Sequence, residues 1–214
     1  MCNLECPGCD TKWDAWQNRT VGSIADDITA FKSNHVVFTG GEPFLWQGKL
    51  QELMRAIDLR RRGMIFTVES NGAVPLTNGG FIDRVNLFSF SPKVGSLGHD
   101  EVFSRDVVLK NIELTTSANQ LKYVLDPNEP EHVESVFAFH KRVEGETAFG
   151  VPDDRVFFQP YDRGTLVNIY SRIVTFNPNQ EYDRDLAALT KLVMERSGSR
   201  FRVVPQLHKY IAFR

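Results

Sequence analysis

Three cysteines stand within the first nine residues of this chain, and none follows them. Cys2, Cys6 and Cys9 are separated by three and two residues, so their thiols are held near one another. Three thiols cannot all be paired in disulfides, because each bridge joins two cysteines at a particular Cα separation. Three neighbouring thiolates are instead suited to one soft metal centre, such as an iron–sulfur cluster.

The number of cysteines favours a cluster that takes part in chemistry. A four-iron cluster is usually held by four thiolates, so a set of three leaves one iron open to another ligand. A zinc site is the alternative and would need a histidine as its fourth ligand. The nearest histidine, His35, has no partner at the spacing of a zinc finger. Thiols that must stay reduced also indicate the cytoplasm.

Length and composition predict one soluble domain over residues 1–214. A net charge of −2 offers no electrostatic footprint for nucleic acid or for an anionic membrane. No apolar run approaches the roughly 18 residues of a membrane-spanning helix, and the cysteine motif leaves no room for a signal peptide after Met1. The 16 phenylalanines are expected to fill the core.

Short apolar runs alternate with helical spacing along the rest of the chain, which predicts an α/β fold with a mostly parallel sheet. Ligands bind beyond the carboxyl ends of the strands in such sheets. The segment 141–156 remains an unassigned loop, and His99, His132 and His140 are expected at the surface. The expected strands are 35–39, 64–68, 85–90, 121–125, 155–158 and 201–204, and the expected helices are 23–31, 50–62, 131–141 and 183–196.

Short polar or Gly/Pro-containing motifs follow most of these strands. They read TGGEP (39–43), ESNG (69–72), SPK (91–93), QPYD (159–162) and QLHK (206–209). Each has a simple structural explanation: glycines and Asn-Gly make turns, and prolines end strands. Taken in order behind the cysteine motif and Cys-Asp-Thr at 9–11, the set resembles the radical S-adenosylmethionine superfamily. Within it, the set looks like the 7-carboxy-7-deazaguanine synthase family, over residues 1 to about 209.

The resemblance implies that Cys2, Cys6 and Cys9 hold a [4Fe–4S] cluster whose open iron binds S-adenosylmethionine. It also implies a set of residues around S-adenosylmethionine, on the loops that follow the strands. These residues are Gly8, Asp10, Gly40, Gly41, Glu42, Asn71, Ser91, Pro92, Lys93, Gln159, Pro160, Tyr161 and Asp162.

Three residues stand out for metal and substrate. Thr11 resembles the hydroxyl that holds Mg²⁺ in this family, and otherwise caps a turn. Glu69 can accept two hydrogen bonds from the guanidine-like edge of a pterin, as a carboxylate does from arginine, or it can form an ordinary salt bridge. By resemblance, Thr39 and His208 lie near the substrate, although His208 can also be a surface histidine.

The activity implied by the resemblance is that of a radical carbon–nitrogen lyase in queuosine and 7-deazapurine biosynthesis. It converts 6-carboxy-5,6,7,8-tetrahydropterin to 7-carboxy-7-deazaguanine with loss of ammonia, using one electron from flavodoxin or ferredoxin. A homodimer is compatible with the resemblance, although the sequence does not set the oligomeric state. Neither a nucleic acid nor a membrane is expected as a partner.

The chain differs from the family pattern at its start, where members carry roughly two dozen residues before the first cysteine. The expected fold is therefore a partial radical-SAM (β/α) barrel that lacks the usual N-terminal strand. Two alternatives remain: a glycyl-radical-activating enzyme, which shares the cysteine spacing and GGEP, and a truncated homologue that binds the cluster without turnover.

Overall fold

The computed structural model contains a single parallel sheet of six strands in its described part, which comprises residues 1–6, 9, 11, 17–95, 103–115, 119–148, 150–161 and 180–206. The strands lie side by side in chain order, and every neighbouring pair is parallel. They are β1 His35–Phe38, β2 Ile65–Ser70, β3 Leu87–Phe90, β4 Asn119–Leu125, β5 Val156–Pro160 and β6 Arg202–Val203.

A helix follows each of the first five strands, which gives the repeated strand–helix order of a parallel α/β protein. β1 and β6 do not pair within the described residues, so the sheet is open there, and no described strand precedes β1. The predicted α/β class and parallel sheet are confirmed.

The helices are α1 Val21–Ala30, α2 Gln47–Arg60, α3 Gly79–Ile82, α4 Arg105–Leu114, α5 Pro130–Glu146 and α6 Gln180–Ser197, with 3₁₀ turns at Pro43–Trp46 and Asp153–Arg155.

One face of the sheet forms the hydrophobic core. β4 shows this clearly, because Leu121, Tyr123 and Leu125 are fully buried while the residues between them are partly exposed. Alternate side chains of a strand point to opposite faces, so Gln120, Lys122 and Val124 lie on the second face of β4, where they are partly exposed. Aromatic rings fill the core beside β3, where Phe44 packs edge-to-face against Phe88 and Phe90. Each such ring stabilises the fold by about 1.5–3 kcal/mol through burial.

The structure corrects several sequence expectations about helices. The helix expected at 23–31 begins two residues earlier, because Thr20 caps it by accepting a hydrogen bond from the Ser23 amide at 3.1 Å. The segment 141–156 is not wholly a loop, since α5 continues to Glu146. The sequence analysis missed α3 and α4. None of the helices in the described part of the chain is both long and apolar enough to cross a membrane.

Two histidines expected at the surface are buried. His132 is 1% exposed and His140 is 3% exposed, both on the face of α5 that packs inward. His140 Nδ1 lies 3.2 Å from the hydroxyl of Tyr123, which satisfies two buried polar groups at once. Both histidines therefore belong to the core, and burial lowers the pKa of each. His99 lies outside the described residues.

Candidate functional site

The residues singled out in the sequence gather at one edge of the sheet because all the strands are parallel. β1 is followed by Thr39 and the two glycines, β2 by Asn71 and β3 by Ser91. The carboxyl ends of these three neighbouring strands thus meet at the same edge, where parallel α/β proteins bind ligands. The site has two parts, which differ in how they are built.

The first part, here called the cysteine end, comprises Cys2, Cys6 and Cys9 with Gly41, Glu42 and Asn71. Gly40 and Gly41 both have left-handed backbone conformations, with φ of 82° and 59°. A side chain on Gly41 would collide with the carbonyl oxygen of Met1, which also accepts a hydrogen bond from the Glu42 amide at 3.1 Å. Only glycine permits this close approach of two backbone segments. The loop after β1 is thereby held against the start of the chain.

The Glu42 carboxylate fixes the same loop from inside. Its Oε1 accepts hydrogen bonds from the Ser70 hydroxyl at 2.7 Å and the Phe44 amide at 2.9 Å, and its Oε2 accepts one from the Asn71 amide at 2.9 Å. Glu42 is only 1% exposed. Burial raises the pKa of Glu42, and these hydrogen bonds partly oppose the shift. Its side chain therefore ties the end of β1 to the end of β2, and the exposed backbone of the loop faces outward.

Asn71 joins the end of β2 to the cysteine motif. Its Nδ2 donates to Asn3 Oδ1 at 2.9 Å and lies 4.0 Å from the Cys2 sulfur. Its Oδ1 accepts from the Ala73 amide at 2.8 Å, which closes a turn. The Asn71 side chain therefore makes the turn and also contacts the cysteine segment, while its contact with S-adenosylmethionine stays a prediction.

The three cysteines are free, and Cys2 and Cys9 lie close enough to Cys6 to influence its pKa. Cys2 and Cys6 are partly buried against the core, and Cys9 is exposed. Burial raises the pKa of Cys6, the charge of Lys93 lowers it, and the charges of Cys2 and Cys9 raise it further. Lys93 donates to the Ser91 hydroxyl at 2.9 Å, and burial lowers its pKa. The Lys93 side chain thus interacts electrostatically with the cysteines.

These thiols fit a cluster by their chemistry. Within the described residues, no three His, Cys, Asp or Glu side chains are gathered closely enough to hold a single metal ion. A cuboidal cluster asks for something different, because each of its irons takes its own thiolate. Three soft thiol donors, of which Cys2 and Cys6 are partly buried and Cys9 is exposed, match that requirement.

The second part of the site, here called the strand face, is a group of polar side chains at this edge of the sheet. It comprises Thr39, Glu69, Ser89, Gln120 and Lys122, of which Ser89 is buried. Glu69 lies opposite Ser89 in the pairing of β2 with β3, and Ser89 lies opposite Gln120 in the pairing of β3 with β4. Gln120 Nε2 donates to the Ser89 hydroxyl at 3.0 Å. These side chains form one row across three strands.

Glu69 has a partner on each side within the strand face. Lys122 Nζ lies 2.7 Å from Glu69 Oε1, and the Thr39 hydroxyl donates to Glu69 Oε2 at 3.4 Å. The structure therefore brings together two of the expected substrate-contacting residues. The sequence analysis missed Lys122. Its position between the buried Leu121 and Tyr123 could have indicated that its side chain points to the other face of β4.

The remaining expected residues belong to neither group as defined above, and four of them lie outside the described residues. Pro160 is buried and its carbonyl accepts from Gln206 Nε2 at 2.9 Å, while the Tyr161 amide donates to the Leu125 carbonyl at 3.0 Å. Thr11 is partly buried. Pro92 is buried beside Ser91, and Gln159 is partly exposed on β5. The residues outside the described part are Gly8, Asp10, Asp162 and His208.

The chain resembles known proteins in both sequence and fold. It is 28% identical to 7-carboxy-7-deazaguanine synthase of Haemophilus influenzae over 63% of this chain and 56% of that protein. It is 33% identical to the synthase of Pyrobaculum aerophilum over 74% of this chain and 66% of the relative, and 29% identical to that of Halobacterium salinarum over 97% and 78%. The chain thus spans less than two thirds of the first two relatives.

Solved structures give the same picture of the fold. The structure described as native anSMEcpe with bound AdoMet superposes with a TM-score of 0.57 at 17% identity, covering 98% of this chain and 62% of that one. At such low identity the likeness concerns the fold alone. The sequence model of the Radical SAM superfamily matches residues 1–119, more than half of the chain and all three cysteines. The chain therefore belongs to the radical SAM superfamily.

Proposed function

We propose that the protein converts 6-carboxy-5,6,7,8-tetrahydropterin to 7-carboxy-7-deazaguanine with loss of ammonia. The observation that carries the proposal is the position of Glu69, a partly exposed carboxylate on the strand face, beside the edge at which the cysteines lie. Relatives with the synthase name align over as much as 97% of this chain, which supports the same choice.

The cysteine end would hold the cofactors. Cys2, Cys6 and Cys9 would bind the cluster, which when bound supplies the electron that cleaves S-adenosylmethionine. The loop at Gly40 and Gly41 would offer its backbone groups to the methionyl part of S-adenosylmethionine, because two glycines leave those groups unshielded. Glu42 keeps this loop in place from its buried side.

Residues of the neighbouring loops would complete the cofactor site. The Ser91 hydroxyl, held by Lys93, lies at the end of β3, the next strand along the sheet. Gln159 and Tyr161 lie at the end of β5. These groups would fix the ribose and methionyl parts, so that the adenosyl carbon is placed against the substrate.

The strand face would bind the pterin. A pterin carries an amino group and a ring N–H side by side, and a carboxylate can accept both hydrogen bonds. One carboxylate oxygen of Glu69 faces Lys122 and the other faces Thr39. The Glu69 side chain is 38% exposed, so a ligand can reach it. The Thr11 hydroxyl would be one ligand of a Mg²⁺ ion, and water and the substrate carboxylate would supply the other ligands.

An anaerobic assay tests this proposal. The protein is reconstituted with iron and sulfide, supplied with S-adenosylmethionine, Mg²⁺, a reductant and 6-carboxytetrahydropterin, and the products are identified by mass spectrometry. We expect 7-carboxy-7-deazaguanine, and none from a Cys6→Ala variant. Cluster-loaded protein that makes neither this product nor 5′-deoxyadenosine would contradict the proposal. Deoxyadenosine alone would mean that the cofactor site works and that the substrate is a different one.

A further inference from the structure

Lys122 is the charged residue of the strand face whose role remains unassigned. It lies on β4, two residues after Gln120 and on the same face of that strand. To reach Glu69 on β2, its side chain crosses β3, where the residue opposite Glu69 is the small Ser89. A lysine that extends over a neighbouring strand to a carboxylate gives that face a cation and an anion side by side.

The ion pair is too accessible to be explained by stability alone. The side chains of Lys122 and Glu69 are 20% and 38% exposed, so the pair is partly buried but open to water, and solvent-accessible ion pairs contribute only about 0–1 kcal/mol. Elsewhere in the described chain, lysines and arginines pair with acids on the outer surfaces of helices, as Lys49 does with Glu52 at 3.0 Å. Lys122 lies instead on the accessible face of the sheet, next to the ends of its central strands.

The hydrogen-bonding capacity of the pair is incompletely used. Among the described residues, Lys122 Nζ has Glu69 as its hydrogen-bond partner, whereas an ammonium has three donors. The two Glu69 oxygens accept one hydrogen bond each from Lys122 and Thr39, whereas a carboxylate has about four acceptor sites. The pair therefore offers a ligand the two carboxylate oxygens of Glu69 as acceptors and the Lys122 ammonium as a donor. The Lys122 Nζ lies 2.7 Å from Glu69 Oε1.

This order of groups is complementary to one edge of a 2-amino-4-oxopyrimidine ring. Along that edge the ring has an amino donor, an N–H donor and a carbonyl acceptor. A carboxylate can accept from both donors, while a neighbouring ammonium donates to the carbonyl oxygen. A guanidine-like group without a carbonyl would bind only the Glu69 carboxylate. The Lys122 ammonium therefore adds a requirement for a carbonyl oxygen on the ligand.

We propose that Lys122 is a specificity-determining residue, which donates to the C4 carbonyl oxygen of the ring while Glu69 accepts from the 2-amino group and N3–H. This inference rests on the proposed function, because it assumes that the ring is a pterin. The site then selects 4-oxo rings over 4-amino rings, since a neutral 4-amino ring has no N3–H for Glu69 and sets its 4-amino N–H against the Lys122 ammonium. Loss of Lys122 leaves the carbonyl without a partner and removes that repulsion.

The test compares equilibrium binding of two ligands to cluster-loaded protein, with S-adenosylmethionine and Mg²⁺ but no reductant. The ligands are pterin-6-carboxylate and 2,4-diaminopteridine-6-carboxylate, at a pH at which both rings are neutral. In Lys122→Met we expect the preference for the 4-oxo ligand to fall by roughly ten- to a hundredfold, the loss of one hydrogen bond to a charged group. Lys49→Met is the matched control and should keep the preference of the wild type.

A second variant covers the case in which Lys122→Met does not fold. In Lys122→Gln the amide oxygen can accept from a 4-amino group, so the affinity for the diamino ligand should rise above that of the wild type. Visible absorbance of the cluster and circular dichroism show that each variant is folded and loaded.

Three results would overturn the inference. The first is an unchanged preference: equal weakening of both ligands would mean that Lys122 only positions Glu69, and no weakening of either would mean that Lys122 takes no part in binding the ring. The second is that Lys122→Met weakens the binding of pterin-6-carboxylate but not of unsubstituted pterin, which lacks the carboxylate. Lys122 would then bind the substrate carboxylate. The third is that the wild type binds no pteridine at all, which would contradict both the proposed substrate and this inference. The first two results leave the proposed function intact.

Discussion

The cysteine end and the strand face lie at the same edge of the sheet and are built in opposite ways. The cysteine end consists of loops, which are held by backbone contacts and one buried carboxylate, as in the close approach of Gly41 to Met1 and the three hydrogen bonds accepted by Glu42. The strand face consists of side chains on regular strands, placed by register. A loop must be fixed before it can hold a cofactor, whereas a strand is already fixed.

This difference separates the two kinds of damage that a mutation can cause. At the cysteine end, a change to one residue disturbs a network that spans the start of the chain and two strand ends. On the strand face, a change removes one accessible group and leaves the sheet beneath it intact. The predictions below test this separation.

Replacing any cysteine should have the largest effect. We expect Cys2→Ala, Cys6→Ala and Cys9→Ala each to abolish the visible charge-transfer absorbance of anaerobically reconstituted protein, because the cluster needs all three thiolates. Absorbance is read beside total bound iron and circular dichroism. A variant that kept the full absorbance and iron content would remove its cysteine from the ligand set.

Gly41→Ala should be the next most damaging change. Gly41 has a φ of 59°, and an added Cβ would collide with the Met1 carbonyl. We expect a loss of about 2–3 kcal/mol of stability and weaker binding of S-adenosylmethionine, measured by denaturant unfolding and calorimetry.

The matched control for this change is Gly48→Ala, in α2, where an added Cβ meets no atom within 4 Å. Alanine favours a helix, so this variant should be as stable as the wild type or more stable by up to about 1 kcal/mol. Equal effects of the two substitutions would show that the loop after β1 has no special backbone requirement.

Glu42→Gln should destabilise the protein by about 1–3 kcal/mol, because the amide nitrogen of glutamine would face donors that the carboxylate accepts. Glu52→Gln, on the exposed surface of α2, is the control and should change stability little. Chemical unfolding of both variants at neutral pH measures the difference. A Glu42→Gln variant as stable as Glu52→Gln would mean that the buried network contributes nothing.

The same residue predicts a pH dependence. Burial raises the pKa of Glu42 above the ordinary value of 4.5, so the folded protein binds this proton more tightly than the unfolded chain. The contribution of Glu42 to the free energy of unfolding is therefore greatest below pH 4.5 and decreases as pH rises through the raised pKa. Comparing the pH profiles of wild type and Glu42→Gln isolates this part of the slope. Parallel profiles would contradict it.

Thr11→Ala should have the smallest effect. The cluster should remain, and the Mg²⁺ concentration needed for half-maximal activity should rise by roughly tenfold, since only one protein oxygen is lost from a largely hydrated ion. Thr190→Ala, on α6, is the control, because its hydroxyl donates only to the Leu186 carbonyl of its own helix. An unchanged Mg²⁺ titration for Thr11→Ala would place the ion elsewhere.

The fold was largely predictable because its strands have clear limits. Each expected strand occurs, since apolar runs such as 35–38 and 121–125 end at glycine, proline or aspartate. α4 was missed although Val108, Leu109 and Ile112 have helical spacing and Ser104 caps the helix. α3, with four residues, is too short for periodicity to reveal it.

The site was predictable only where a motif is local. TGGEP identifies its own loop, but the burial of the Glu42 side chain depends on Ser70 and Asn71, nearly thirty residues further along. The Glu69–Lys122 pair joins residues 53 positions apart, across an intervening strand. Such a contact follows from strand order and register, which the sequence pattern of a single strand does not contain.

The most direct test of the separation between the two parts is Glu69→Gln, measured with two readouts on the same reconstituted sample. The first is 5′-deoxyadenosine formed from S-adenosylmethionine under reducing conditions without substrate, and the second is affinity for the pterin. We predict wild-type deoxyadenosine formation together with a roughly ten- to a hundredfold loss of pterin affinity. A parallel fall in both readouts would contradict the account, because Glu69 would then support the cofactor site instead of reading the substrate.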